Sequence, residues 1–358
     1  MFYTKYQISL DETLVLKGIS ILVIILHNFI HRFPGVVVEN QHIFSMERNR
    51  ELITRFSEQW NSDIFLDLIS HYGHYGVPVF VFLSGYGLVV KYENDNGAPI
   101  GFHKFIKRHV CKLWLLLLPL LVLHFLFLGI KESGYFQEHW LDFILMTGFV
   151  GNLNPDSYIF HGPWWFFSLI MQLYVVYYVF VYRRTLKPIT ILAVICITVQ
   201  AVAISIFKNM DYLEYLRFNF VGSVLPFALG IIAARKKFFP TDGIAIVAFA
   251  LFIVCCFNAY SWLLTFGLIT VAVLPVLKLV QLNVMTYTSL RWLGIISSFL
   301  FVTHPIIRSL TFGLSEYSLC LSIVGYGMLS ILFAWGYKRL LLWGRQHIIK
   351  HTGSTLKS

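Results

Sequence analysis

Apolar residues run along this chain in blocks of about twenty, separated by short polar punctuation, with no sustained two-residue alternation. A helix needs about 20 mostly apolar residues to cross the hydrocarbon of a bilayer. Blocks near 14–33, 73–91, 110–130, 163–182, 188–207, 218–234, 242–258, 260–279, 290–311 and 317–342 meet that requirement. A further piece, "WLDFILMTGFVG" at 140–151, is too short to span and is expected to lie in the interface or to re-enter. The pattern predicts an all-α fold: a polytopic integral membrane helical bundle of about ten transmembrane helices, forming one membrane-embedded domain over 1–358. Its largest extracytoplasmic segment is expected at about 34–70, a loop rich in polar and charged residues.

Charge orients this bundle. With the N-terminus inside, 20 of the 28 basic residues fall on the cytoplasmic side, including the clusters "RHVCK", "YRRTLK", "ARKK" and "YKRL". The opposite side keeps 13 of the 18 acidic residues. This asymmetry predicts two cytoplasmic termini and a multi-pass protein of the plasma (inner) membrane. No small-residue cleavage site follows the first block, so that block is expected to stay as a span.

Composition narrows the function classes. At 57% hydrophobic and 13% charged residues, the chain carries more apolar surface than a soluble domain of 358 residues can hide. The net charge of +10 belongs to membrane topology, because no basic arm or aromatic-interleaved module points to nucleic acid. The five cysteines lie in or beside apolar blocks without C-x-x-C spacing, so neither a disulfide framework nor a metal site is expected.

The candidate chemistry lies inside the spans. In "LKGISILVIILHNFIHRF", at about 100° per residue, Asn28 lies about 20° and His31 about 40° from Lys17, with His27 about 80° away. A rise of about 1.5 Å per residue separates Lys17 from His27 by roughly 15 Å, too far to touch but within reach of one long ligand. Lys17 reads equally as a snorkelling cation and His27 as a satisfied interior histidine. The second span begins "HYGHYGVPVFVFLSGYGL", with His71 and His74 at its outer end and Ser84 near its middle. "FHKFIKRHVCKLW" spaces Lys104, Lys107, Arg108 and Lys112 as a basic stripe, suited to anionic membrane lipids or to the phosphates of an anionic cofactor. "HGPWWFFSLIMQLYVVYY" places His161, Trp164 and Gln172 at the fourth span, where Gln172 needs a polar partner. "SSFLFVTHPIIR" sets His304 before Pro305, whose missing N–H frees a carbonyl one turn earlier.

Taken in order, "LKGISILVIILH", "GVPVFVFLSGYGL", "KFIKRHVCKLWLLLLP", "WWFFSLIMQLY" and "SSFLFVTHP" resemble the membrane-bound acyltransferase 3 family over nearly the whole chain. The resemblance implies transfer of an acyl group, acetyl above all, from cytoplasmic acyl-CoA to a hydroxyl of an extracytoplasmic glycan or lipid-linked saccharide. It implies catalytic roles for a basic residue and a histidine of the first helix, here Lys17 and His27. The family's histidine ordinarily sits where this chain has Asn28, one residue after His27, and His31 is the alternative. The resemblance further implies acyl-CoA phosphates at Lys17, Lys107, Arg108 and Lys112, with Ser84, His74, Trp164, Gln172, His304, Asn28 and His31 supporting the substrates. The acidic residue of the family's fourth-span motif is absent, and Met171 and Gln172 occupy that neighbourhood. The competing class is a multi-span transporter or flippase for a glycan-linked or anionic substrate, whose path the same polar residues would line, although no clear inverted repeat is present.

Overall fold

The first span, α1 (Leu10–Ile30), begins where the sequence offers a reciprocal cap. Ser9 Oγ accepts from the Glu12 amide at 3.2 Å, and Glu12 Oε2 accepts from the Ser9 amide at 2.8 Å. Tyr6 and Gln281 donate to the other oxygen of Glu12 at 2.7 and 3.0 Å, so the carboxylate stays fully bonded at the helix start. The computed structural model describes residues 3–58, 63–93, 99–154, 162–207, 210–313 and 318–354. After α1 come α2 (Met46–Glu58), α3 (Asp63–Tyr72), α4 (Gly76–Glu93), α5 (Phe102–Lys131), α6 (Tyr135–Thr147), α7 (Trp165–Val176) and α8 (Lys187–Ile206). The chain continues through α9 (Asp211–Phe218), α10 (Phe220–Lys236), α11 (Asp242–Cys255), α12 (Ala259–Trp262), α13 (Thr265–Val273), α14 (Val276–Gln281), α15 (Val284–Thr311) and α16 (Leu319–Ser354). One small sheet qualifies the all-α expectation. β1 (Tyr3–Lys5) pairs antiparallel with β2 (Phe238–Pro240), Tyr3 opposite Pro240, and ties the start of the chain to the end of α10.

Six helical segments are long and apolar enough to cross a membrane, seven if the bent pair α9–α10 counts as one span. The remaining predicted spans fold as shorter apolar helices, Trp165–Val181, Asp242–Cys255 and Thr265–Gln281. Local chemistry explains two of the shortenings. Asn258 Oδ1 accepts from the amides of Tyr260 and Ser261 and starts α12, while Pro275 separates α13 from α14. The segment 34–70 is more ordered than a loop, because it holds α2 and α3. The second span accordingly reaches back to Asp63.

Four helices frame the interior. α1 packs parallel on α15, Asp11 bonding Arg291 near their starts and the Asn28 carbonyl bonding Arg308 near their ends; between them, a side chain on Gly18 would strike the Leu290 carbonyl and one on Gly294 would strike the Leu14 carbonyl. α4 packs parallel on α10 by the same device, Gly85 against Phe227 and Gly230 against the Phe82 backbone, with Glu93 and Arg235 paired at their ends. Small residues let helix backbones approach where lipid offers no hydrophobic contrast to drive association. The result is a bundle with two distinct mouths, one basic around Lys17 and one rich in histidine around His27.

Candidate active site

His27 lies where α1 meets the end of α3. The two backbones approach so closely that a Cβ on Gly73 would stand 2.5 Å from the His27 Cβ. His27 is 3% exposed, and its Nδ1 donates to the Ile69 carbonyl at 3.3 Å. Donation from Nδ1 leaves the ring's lone pair on Nε2, to which no described residue bonds. His31, one turn on, stacks parallel to His27 with ring centroids 4.9 Å apart and donates from Nδ1 to the His27 carbonyl at 2.8 Å. His74 meets His27 edge-on at 5.8 Å, and both its ring nitrogens are buried without a partner. The structure therefore gathers His27, His31 and His74 in one place.

The one-residue offset in α1 has a geometric answer. α1 is a regular helix from end to end, so no local winding brings position 27 onto the Lys17 face. Instead His27 turns towards α3. Asn28, in line with Lys17, donates its amide back to the Ile24 carbonyl at 2.9 Å, and its own carbonyl accepts from Arg308 Nη1 at 3.1 Å.

Sequence reasoning missed Glu39. The chain after α1 folds back over the histidines and is fastened to α3 residue by residue. Val37 donates its amide to Asp67 Oδ1 at 2.9 Å and accepts from Ser70 Oγ at 2.7 Å. His71 bridges the Val38 carbonyl at 2.8 Å and Asn49 Oδ1 at 3.0 Å. Arg48 donates to the Glu39 backbone carbonyl at 2.7 Å, leaving the carboxylate to itself. Its Oε2 is buried without a partner and lies within electrostatic range of His27, His31 and His71. Nothing in spacing announces this residue, because a loop of unknown course carries no periodicity. Arg217 of α9 was also missed. It is 1% exposed, lies over Trp262 at 3.9 Å and Phe266 at 4.2 Å, and donates to the Gln41 carbonyl at 3.0 Å.

At the basic mouth, Lys17 of α1 and Lys112 of α5 lie within electrostatic range of each other, and Lys91 of α4 within range of Lys112. Lys107 and Arg108 are exposed on α5 a turn further from the bundle centre. Glu93 is taken by Arg235 at 2.6 Å and by Tyr177 at 2.9 Å, and among the described residues no acid pairs with Lys17, Lys91, Lys107, Arg108 or Lys112. Like charges left together without a counterion are unfavourable unless an anion joins them.

Other expected site residues are engaged in the scaffold. Ser84 donates to the Phe80 carbonyl of its own helix at 2.8 Å, two turns of α4 beyond Gly76 and so removed from His27. Trp164 donates to the Val302 carbonyl at 2.9 Å and fastens the start of α7 to α15. His304 is buried, donates from Nδ1 to the Leu300 carbonyl at 3.0 Å, and makes no hydrogen bond or ring contact with His27. His161 lies outside the described residues. Gln172 finds its partners at the 44° break between α9 and α10, donating to Asn219 Oδ1 at 2.7 Å and accepting from the Phe220 amide at 2.9 Å. Substituting Gln172 by Leu should therefore lower stability by about 1–3 kcal/mol, read as a thermal shift in detergent, without changing turnover per folded molecule.

Among the described residues no group of three or more His, Cys, Asp or Glu is arranged to hold a metal ion. The model of an acyltransferase domain matches residues 9–339, which takes in both mouths. No curated protein and no solved structure matches the chain. A multi-pass helical chain with a match of that extent belongs to the membrane-bound acyltransferase 3 family.

Proposed function

We propose that this protein transfers an acyl group, acetyl in the simplest case, from cytoplasmic acyl-CoA to a hydroxyl of an extracytoplasmic glycan or lipid-linked saccharide, across the plasma (inner) membrane. The observation that carries this reading is the arrangement along α1. An imidazole with an open Nε2 stands at one end and an unpaired lysine cluster at the other, roughly 15 Å apart. An extended pantetheine arm bridges such a gap, with the phosphates among Lys17, Lys91 and Lys112 and the thioester at His27. Nε2 takes the proton of the acceptor hydroxyl as its oxygen bonds to the thioester carbon. The C–S bond then breaks, and the proton passes from the imidazolium to the departing thiolate. A cavity of about 450 Å³ lined by Phe33, Val36, Arg55, Leu66 and Asp67 opens beside the loop that covers the histidines, and suits a sugar ring with its hydroxyls.

The test is incubation of the purified protein in proteoliposomes with radiolabelled acetyl-CoA and the glycan fraction of cells lacking the gene. Base-labile label in the glycan supports the reading. Glycan or solute flux without acyl transfer overturns it in favour of a transporter. Lys17→Ala should raise KM for acetyl-CoA about 10- to 100-fold while kcat changes little, because a phosphate contact of about 1.5–3 kcal/mol is lost. Added salt should raise the wild-type KM and act less on the variant.

A further inference from the structure

We propose that Glu39 is a positioning residue for His27, a carboxylate carried in by the outer loop to face the imidazole as it becomes positive during transfer. The proposal rests on the acyl-transfer reading and adds to it the group that accompanies the base. Three observations converge. The first is placement. The loop 37–40 has little freedom, because the Val37 amide and the Val37 and Val38 carbonyls are all bonded to α3, the helix whose Ile69 carbonyl also holds His27. Glu39 follows directly and has its backbone carbonyl fixed by Arg48.

The second observation is the state of the carboxylate. A buried oxygen without a hydrogen-bond donor is unfavourable, and here Oε2 has none, on a loop that bonds α3 at Asp67, Ser70 and His71 and sets the carboxylate within electrostatic range of His27 and His31. Its placement is explained if a positive charge appears beside it in the working cycle. The third is what is missing elsewhere. The family resemblance expects an acid at the fourth span, yet α7 (Trp165–Val176) contains no carboxylate, with Met171 and Gln172 where one would stand.

In the transfer step, Glu39 neither gains nor loses a bond. The proton moves from the acceptor hydroxyl to His27 Nε2 and then to the CoA thiolate, and the carboxylate stabilises the imidazolium between those two events. Arg308 lies within electrostatic range of His31, and its guanidinium bonds the Asn28 carbonyl.

The experiment compares Glu39→Gln and Glu39→Asp in proteoliposomes, with radiolabelled acetyl-CoA and the same glycan fraction, rates being taken per folded molecule. Gln keeps the shape and loses the charge, whereas Asp keeps the charge and shortens the reach. Glu39→Gln should lower kcat about 10- to 100-fold with KM for acetyl-CoA within about twofold of wild type, and Glu39→Asp should retain more activity than Gln. A Gln variant as fast as wild type, or faster than Asp, overturns the proposal, as does a defect confined to the yield of folded protein. Absence of transfer by the wild-type protein overturns the acyl-transfer reading and this inference with it. Wild-type transfer that is indifferent to Glu39→Gln overturns this inference alone.

Discussion

Replacing His27 by Ala should lower kcat for acyl transfer by about 10²- to 10⁴-fold, the range over which a positioned general base contributes. That corresponds to about 3–5 kcal/mol of transition-state stabilisation. The geometry gives the reason. The Ile69 carbonyl fixes the Nδ1 proton, so Nε2 is the nitrogen with a free lone pair, and no described side chain uses it. Because His27 is buried against Gly73 and stacked on His31, the Ala variant also loses packing. His27→Gln, which fills the space with a group that is not a base, serves as the folded control and should be equally inactive. A His27 variant that retains a tenth or more of wild-type kcat would remove the residue from the mechanism.

The neighbours in α1 should respond differently, and that difference decides the question raised by the offset. Asn28→Ala removes an amide bonded only within its own helix, so its effect on kcat should stay within about twofold. His31→Ala removes a ring whose Nδ1 is bonded to the His27 carbonyl, and the loss of that stack should cost kcat about tenfold or less. If His31→Ala were instead as damaging as His27→Ala, the base would be His31.

The balance of what was legible follows from what each signal measures. Apolar runs report segments that must avoid water, so all ten predicted stretches carry helix, and α1, α5, α8, α15 and α16 are long. The same signal is blind to where a helix breaks. Gln172, Asn219 and Asn258 stop or bend helices through hydrogen bonds that hydropathy averages away. The face shared by Lys17, Asn28 and His31 was computed correctly for a regular helix, but a wheel cannot say which face meets α3. The structure sets His27, not Asn28, against that helix. Hydropathy is equally blind to Lys91, which α4 and α5 bring within electrostatic range of Lys112. Glu39 and Arg217 were invisible for a different reason. Each is placed by a fold-back that links distant parts of the chain, Glu39 onto α3 and Arg217 onto Gln41 and Trp262.

Gly294→Leu should be the most destructive single substitution in the frame. The Gly294 position has no room even for a Cβ, since that atom would fall onto the Leu14 carbonyl, and the facing Gly18 meets Leu290 in the same way. Backbone cannot yield as a flexible side chain does, so the whole α1–α15 crossing must separate. Overpacking ordinarily costs about 1–3 kcal/mol, and an obstruction by backbone lies at or above the top of that range. The expected result is a large fall in the thermal midpoint in detergent and little folded protein in the membrane. The consequence for function is specific to this crossing. α1 carries Lys17 and His27 on a single rigid rod, while α15 carries Arg308, which holds the Asn28 carbonyl beside His27. Shifting the rod by even an ångström changes the position of both ends relative to α3 and α5, so any folded remnant should lose transfer along with donor affinity. Gly87→Ala is the matched control, because a Cβ at Gly87 meets nothing within 4 Å, and it should melt and turn over like wild type. A Gly294→Leu protein with wild-type melting would show that α1 and α15 do not cross as closely as the structure places them.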